Sequence, residues 1–226
     1  MANIGHGKKY LVNRSKILYN ATKLFLEKGY TKTTMKQIAY LSQINIGSLF
    51  FMFKDKETLL SELVNEVLNC QYEKAKTLLK DTDYDLLSLF AVEKVLQLYI
   101  AESSEHMREM YTTTYSLTSS TNVVYQTVTQ RLEEIFNTFL PNFETKDFYE
   151  REIALGGIIR GFMSVPCSMY FTMERKIKSF LETSLLVFEV PKDKIKEIIS
   201  FVMNIDFVNI INETMEDILL SFQIEK

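Results

Sequence analysis

Turn-forming residues are so scarce in this sequence that one class of fold stays open to it: seven glycines and three prolines serve 226 residues. Sandwiches and doubly wound sheets need glycine and proline at frequent intervals to reverse the chain, and that punctuation is missing here. Leu, Ile, Lys, Glu and Met abound instead, and 46% of the chain is hydrophobic, enough for a sizeable core in one large or two small domains. The fold class is therefore all-α. No run of 18 apolar residues offers a membrane span, and the start MANIGHGKKYLVNRS has no apolar stretch behind its charges, so neither membrane insertion nor a signal peptide is expected. The expectation is a soluble protein of the cytoplasm. Cys70 and Cys167 lie far apart and outside any CxxC pair, which points to two buried thiols rather than a zinc site or a disulfide.

Charge divides the chain unevenly. Residues 1–64 carry Lys8, Lys9, Arg14, Lys16, Lys23, Lys28, Lys32, Lys36, Lys54 and Lys56 against Glu27, Asp55, Glu57 and Glu62, a balance of +6, while the remainder holds 16 bases and 25 acids, a balance of −9. A basic head on an acidic body suits a nucleic-acid-binding unit joined to a non-binding one, although a solvated lysine-rich face would look similar.

Within the head, Asn13 can cap a helix over 13–28 in which Ile17, Ala21, Leu24 and Phe25 recur at helical spacing, with Gly29 as its left-handed stop. Thr34, followed three residues on by Gln37, has the reciprocal capping pattern for a second helix that ends near Ser42. Asn45 is the candidate cap of a third, whose Gly47, Leu49, Phe50 and Phe53 precede an abrupt charged restart at Lys54 and Asp55. So short a helix is not stable alone, and Leu49 and Phe53 are its natural inward anchors. Two short helices joined by a tight turn make a helix-turn-helix, whose second helix can enter a major groove.

The stretch ILYNATKLFLEKGYTKTTMKQIAYLSQINIGSLFFMFKDKETLL resembles the N-terminal domain of the TetR family of transcriptional regulators. Phe25, Gly29, Tyr30, Thr33, Thr34, Met35, Ile38 and Ala39 match the first half of the family pattern; Gly47, Ser48, Leu49, Phe53, Lys56, Glu57 and Leu59 match the second. The likeness is gap-free and covers roughly a fifth of the chain. It departs from the pattern at Gln43, where the turn usually has glycine and a positive φ would need accommodation, and at Phe50 and Phe51, where a tyrosine that reaches a phosphate and a polar or aromatic neighbour are usual. Phe50 loses that hydrogen bond but keeps apolar contact with a sugar or a thymine methyl.

Carried over residue by residue, the resemblance implies that Thr34 and Lys56 hold phosphates from helix N-termini, that Tyr40 adds another backbone contact, and that Asn45, Ile46 and Ser48 face base edges. Lys36 and a flexible segment with Lys8 and Lys9 would add attraction. Capping alone for Thr34 and Asn45, and a solvated role for Lys56, remain the competing readings; Phe51 and Met52 could equally pack beneath the next helix.

From Leu60 onward further amphipathic helices are expected over about 86–101, 104–118, 121–140, 147–173, 174–188 and 192–221. Pro141 and Pro191 mark breaks, and Pro166 interrupts or kinks its helix. The natural division is a DNA-binding head, 1–60, and a helical ligand-binding and dimerisation body, 61–226. Two clusters of soft and aromatic side chains, Met107, Met110, Tyr111 and Tyr115, and Met163, Met169, Tyr170 and Met173 with Phe162 and Phe171, suit a small apolar or amphipathic ligand, though ordinary core packing explains them as well. Gly157 and Gly161, one turn apart, allow two helices to approach closely, either across a two-fold dimer matched to a palindromic operator or within the chain.

Catalysis finds no support. His6 lies in a tail expected to be disordered, His106 is expected at the surface, and the sequence lacks HExxH, a nucleophile elbow, a P-loop and GxGxxG. The reading is a dimeric, ligand-responsive repressor of double-stranded DNA, neither enzyme nor cofactor carrier, with its heads in successive major grooves roughly 34 to 36 Å apart. A helical protein-interaction module with a decayed head, or a ligand-independent regulator or activator, are the alternatives.

Overall fold

A computed structural model describes residues 2–222, with side chains from residue 7 onward. Among the described residues there are eleven helices and no strand: α1 (Ala2–Lys28), α2 (Met35–Leu41), α3 (Ile46–Met52), α4 (Lys56–Leu79), α5 (Leu86–Glu102), α6 (Glu105–Thr114), α7 (Thr118–Phe136), α8 (Thr145–Ser164), α9 (Met173–Val187), α10 (Lys192–Val202) and α11 (Ile210–Ser221).

The boundaries follow capping chemistry. Thr34 Oγ1 accepts from the Gln37 N–H at 3.3 Å and Gln37 Oε1 accepts from the Thr34 N–H at 2.8 Å, the reciprocal box that starts α2. Asn45, Asp55, Asp85 and Ser104 each accept from a first-turn N–H of α3, α4, α5 and α6. Gly29 ends α1 at a φ of 82°, donating its N–H to the Phe25 carbonyl at 2.9 Å. Helix α1 starts well before the expected cap at Asn13, so Lys8 and Lys9 stand on a helix instead of a flexible segment; the side chain of His6 lies outside the described residues.

Two cores result. In the head, Ile17, Ala21, Leu24, Phe25, Ile38, Leu49, Phe53 and Leu59 are buried together, joined by Ile218 of α11 and its C-cap Phe222. Ser15 Oγ also donates to the Phe222 carbonyl. The body is organised round α5, whose residues from Leu87 to Leu98 are buried on every side, the polar Ser88, Glu93, Lys94 and Gln97 among them. Helices α4, α6, α7, α8, α9 and α10 pack around it. Helix α4 is unbroken from Lys56 to Leu79, so the division expected at 60/61 falls inside a rigid rod that contributes to both cores.

The helices expected over 147–173 and 192–221 depart most from their patterns. The stretch 147–173 is helical only to Ser164, because Pro166 cannot supply a ladder N–H and holds Val165 in an extended conformation. The chain between Val165 and Thr172 is anchored by Glu102, which accepts from the Cys167 N–H at 3.0 Å and pairs with Lys176, a lysine that also donates to the Val165 carbonyl at 2.5 Å. The stretch 192–221 breaks between α10 and α11 without proline or glycine. There Phe207 is buried against Tyr99, ring centroids 5.2 Å apart, while Asp206 accepts from the Val208 N–H at 3.2 Å. Tertiary burial and an aspartate turn outweigh helical periodicity at that point.

Candidate functional site

The turn between α2 and α3 is closed by two carbonyls of α2. The Gln43 N–H donates to the Tyr40 carbonyl at 3.1 Å and the Ile44 N–H to the Ala39 carbonyl at 3.0 Å, the two-bond helix stop that normally uses glycine. Gln43 takes the left-handed position, φ 56°. On α3 the inward anchors are as expected, with Leu49 and Phe53 fully buried. The opposite side is open: Ile46 is 38%, Phe50 48% and Phe51 85% exposed. Phe51 does not pack beneath α4, which answers one question the sequence left open. Tyr40, 83% exposed, and the exposed Lys36 stand beside it on α2.

Thr34, Asn45 and Lys56 are already engaged within the chain. Asn45 Oδ1 accepts from the Ser48 N–H at 2.7 Å, leaving the amide NH₂ free for a partner, and Ser48 itself is half-buried. Lys56 is half-buried and held within the chain. Its Nζ donates to the Tyr30 carbonyl at 2.7 Å and the Thr33 carbonyl at 2.9 Å and lies 4.2 Å from the Tyr30 ring centroid. Burial lowers its pKa and Glu109 raises it back in part. Two of its three donors thus clamp α4 to the connection between α1 and α2, which leaves one N–H for the phosphate contact expected from the sequence.

That connection also touches the body. Glu109 Oε1 on α6 accepts from the Thr31 N–H at 2.8 Å, His106 Nδ1 lies 3.1 Å from the Leu26 carbonyl, and Glu57 Oε1 accepts from Ser119 Oγ at 2.6 Å. His106 is accordingly half-buried at a junction, not a surface histidine. Both cysteines are half-buried thiols, pushed up in pKa by burial.

A cavity of about 70 Å³ lies at the same junction. Its walls come from α1 (Thr22, Phe25, Leu26), α4 (Leu60 to Gln71), α6 (Met107, Met110, Tyr111, Thr114), the C-cap Tyr115, α7 (Val124) and α11 (Met215, Ile218). The first soft cluster of the sequence, Met107, Met110, Tyr111 and Tyr115, therefore lines one space. The second does not. Met163 is packed into the body core, Met169 and Tyr170 are exposed on the loop after Pro166, and Met173 opens α9 with its Sδ 3.8 Å from Cys167 Sγ. Proline had split the helix that was expected to align them.

Gln71 was missed by the sequence reading. It is fully buried, its Nε2 donates to the Tyr111 hydroxyl, and its Oε1 has no protein partner. A polar residue continuing the apolar stripe of Leu60, Val64 and Leu68 was the available signal. Burial raises the phenols of Tyr111 and Tyr115, keeping both neutral hydrogen-bonding groups. Gly157 and Gly161 are exposed on α8 with nothing of their own chain within 4 Å of a Cβ built on either, so close packing inside the chain is not their role.

Comparison with known proteins gives a consistent result. A family model described as bacterial regulatory proteins, tetR family, matches residues 17–63. The chain is 42% identical over 52 residues, 23% of its length and 28% of the relative's, to the HTH-type transcriptional regulator QacR of Staphylococcus aureus (strain Mu50 / ATCC 700699). It is 26% identical over 158 residues, 68% of its length and 69% of the relative's, to the "Probable HTH-type transcriptional regulator YttP" of Bacillus subtilis (strain 168). The chain thus spans little more than a quarter of the first of these relatives. Among solved structures, RolR in complex with resorcinol shares the fold with a TM-score of 0.67 at 16% identity, covering 86% of this chain and 96% of that one. SmeT, the repressor of the Stenotrophomonas maltophilia multidrug efflux pump SmeDEF, does so with a TM-score of 0.52 at 17% identity, covering 76% and 88%.

Proposed function

We propose that this chain is a member of the TetR family of bacterial regulatory proteins, whose model matches residues 17–63, and a sequence-specific DNA-binding transcriptional regulator rather than an enzyme, acting as a dimeric repressor that answers to a small apolar or amphipathic effector. Residues 1–60 form the DNA-binding head and residues 61–226 the effector-binding and dimerising body, both in the cytoplasm where the operator is. Thr34, Lys36 and Tyr40 contact the DNA backbone, while Asn45, Ile46, Ser48, Phe50 and Phe51 face the bases. Gly157 and Gly161 leave α8 bare for a second copy, and the two-fold pairing that results presents two heads to a palindrome.

One observation carries the reading: Phe25, Leu63 and Ile218 belong at once to the head core and to the cavity wall. At about 70 Å³ the cavity is below the roughly 300 Å³ of a drug-sized site, so an effector enters only by displacing its walls. Met107, Met110 and Met215 are soft enough to yield, and movement of α1 or α4 reaches the head directly. An effector that binds the displaced arrangement better shifts the population away from the DNA-competent one.

The test is fluorescence anisotropy of the full chain on duplexes selected from a random library, over a salt series. Log affinity should fall linearly and steeply with log salt, and Lys36→Ala should weaken binding to all duplexes alike and reduce the slope by about one. Weak, salt-insensitive binding would remove the head's assignment.

A further inference from the structure

The outward side of α3 consists of Ile46, Gly47, Phe50 and Phe51, which share one face because residues three and four apart align on a helix. None of these side chains carries a hydrogen-bond donor or acceptor. The head core does not use the two aromatic rings, since Leu49 and Phe53 are the residues that face inward and are fully buried. Nor does it need the glycine. A Cβ at Gly47 would meet only Asn45 Oδ1, at an ordinary 3.5 Å, so a residue that weakens helices relative to alanine stands where the chain itself gives no reason for it. The effect is a bare strip of backbone between two exposed apolar side chains, open to close approach by a partner.

Charge selects the partner. Lys32, Lys36 and Lys54 are exposed on the segments that flank this face, within residues 1–64, whose balance is +6, and such surroundings favour a polyanion. A DNA duplex presents a single apolar group on its major-groove base edges, the C5-methyl of thymine. Guanine, cytosine and adenine present only donors and acceptors there, which would lose water against Phe50 and Phe51 and gain no partner.

We propose that the outward face of α3 reads thymine methyl groups, so that this head selects its operator by apolar contact from Ile46, Phe50 and Phe51 more than by hydrogen bonds to base edges. This rests on the DNA-binding reading above and specifies its base code. Asn45, with its amide NH₂, and the half-buried Ser48 add at most a few polar contacts at the rim.

The experiment starts from a duplex enriched by the full-length chain from a random library. Its thymines are replaced one at a time by deoxyuridine, which removes the methyl and keeps base pairing and every hydrogen-bonding atom. Binding should weaken about fourfold at each contacted thymine, the value of one methyl-sized group taken out of water, and Phe51→Ala should lose that sensitivity at its own position while keeping its thermal midpoint. If the variant does not fold, the deoxyuridine series on the unaltered chain decides by itself. Equal affinity after replacing every thymine would overturn the methyl code and leave the regulator reading standing. If no duplex is enriched at all, the face is a protein-docking surface, and both readings fall together.

Discussion

In the head, the buried Thr22, Thr33 and Ser42 hydroxyls donate to the Leu18, Gly29 and Lys16 carbonyls at 2.9, 2.8 and 3.3 Å. In the body, Gln71, Gln97, Ser120, Glu152 and Ser184 each hold a buried oxygen without a protein partner. On the outside both regions display apolar groups, Phe50 and Phe51 on the head and Met169 and Tyr170 on the body. Each unpartnered buried group costs on the order of 1–3 kcal/mol, so the head interior is satisfied while the body interior carries an unmet demand. That difference is what a rigid reader coupled to an adaptable sensor requires.

The largest effect that could break this contrast lies in the head. Phe53 is fully buried, and the seven-residue α3 persists only through such packing. Phe53→Ala should lower stability by about 4 kcal/mol, measured by urea unfolding, with DNA binding lost as α3 detaches. A loss below about 1 kcal/mol would mean that the head core is loosely packed and collapses onto the space left by the ring.

Next comes the body's acid. Burial pushes the Glu152 carboxyl up to about 8, with Lys94 opposing and Glu93 reinforcing. Because the folded pKa exceeds the unfolded one, the native state keeps a proton that the unfolded chain has already lost. Stability from this group is therefore full below about pH 4.3, falls by up to about 1.4 kcal/mol per pH unit as pH rises, and levels off above about 8. Glu152→Gln should flatten that slope and exceed the native chain in stability near pH 8. A parallel pH profile in the variant would show that the interior already satisfies this carboxylate.

Much of the head was legible because its signals are local. Thr34 with Gln37, Asn45, and Gly29 act within one helical turn, and the contiguous TetR-like pattern fixed the order of the three helices. The cavity was legible only where its residues share one helix, as Met107, Met110 and Tyr111 do on α6. Phe25, Gln71 and Ile218 meet there from α1, α4 and α11, which no spacing reveals. Lys56 shows the limit from the other side: a lysine in a recognised position is expected to face DNA, yet two carbonyls 23 and 26 residues earlier in the chain hold its ammonium. The break before α11 was hidden for the same reason, since the burial of Phe207 against Tyr99 is a tertiary event.

The smallest expected effect concerns the one non-glycine residue of positive φ among the described residues of the head. Gln43 occupies the left-handed position of the turn, φ 56°, where an L-residue with a side chain loses roughly 1–2 kcal/mol and glycine loses nothing sterically. Glycine also loosens the unfolded chain, which returns about 0.5–1 kcal/mol of that gain. Gln43→Gly should therefore stabilise the protein by roughly 0.5–1 kcal/mol, read as a higher urea midpoint at unchanged slope. The Gln43 and Ile44 N–H groups would keep their bonds to the Tyr40 and Ala39 carbonyls, because both are backbone to backbone. A destabilised variant would show that the glutamine side chain, exposed at the mouth of the turn, contributes something to α2 and α3 that backbone geometry alone does not account for, and the head would then be less complete in itself than its paired hydroxyls indicate.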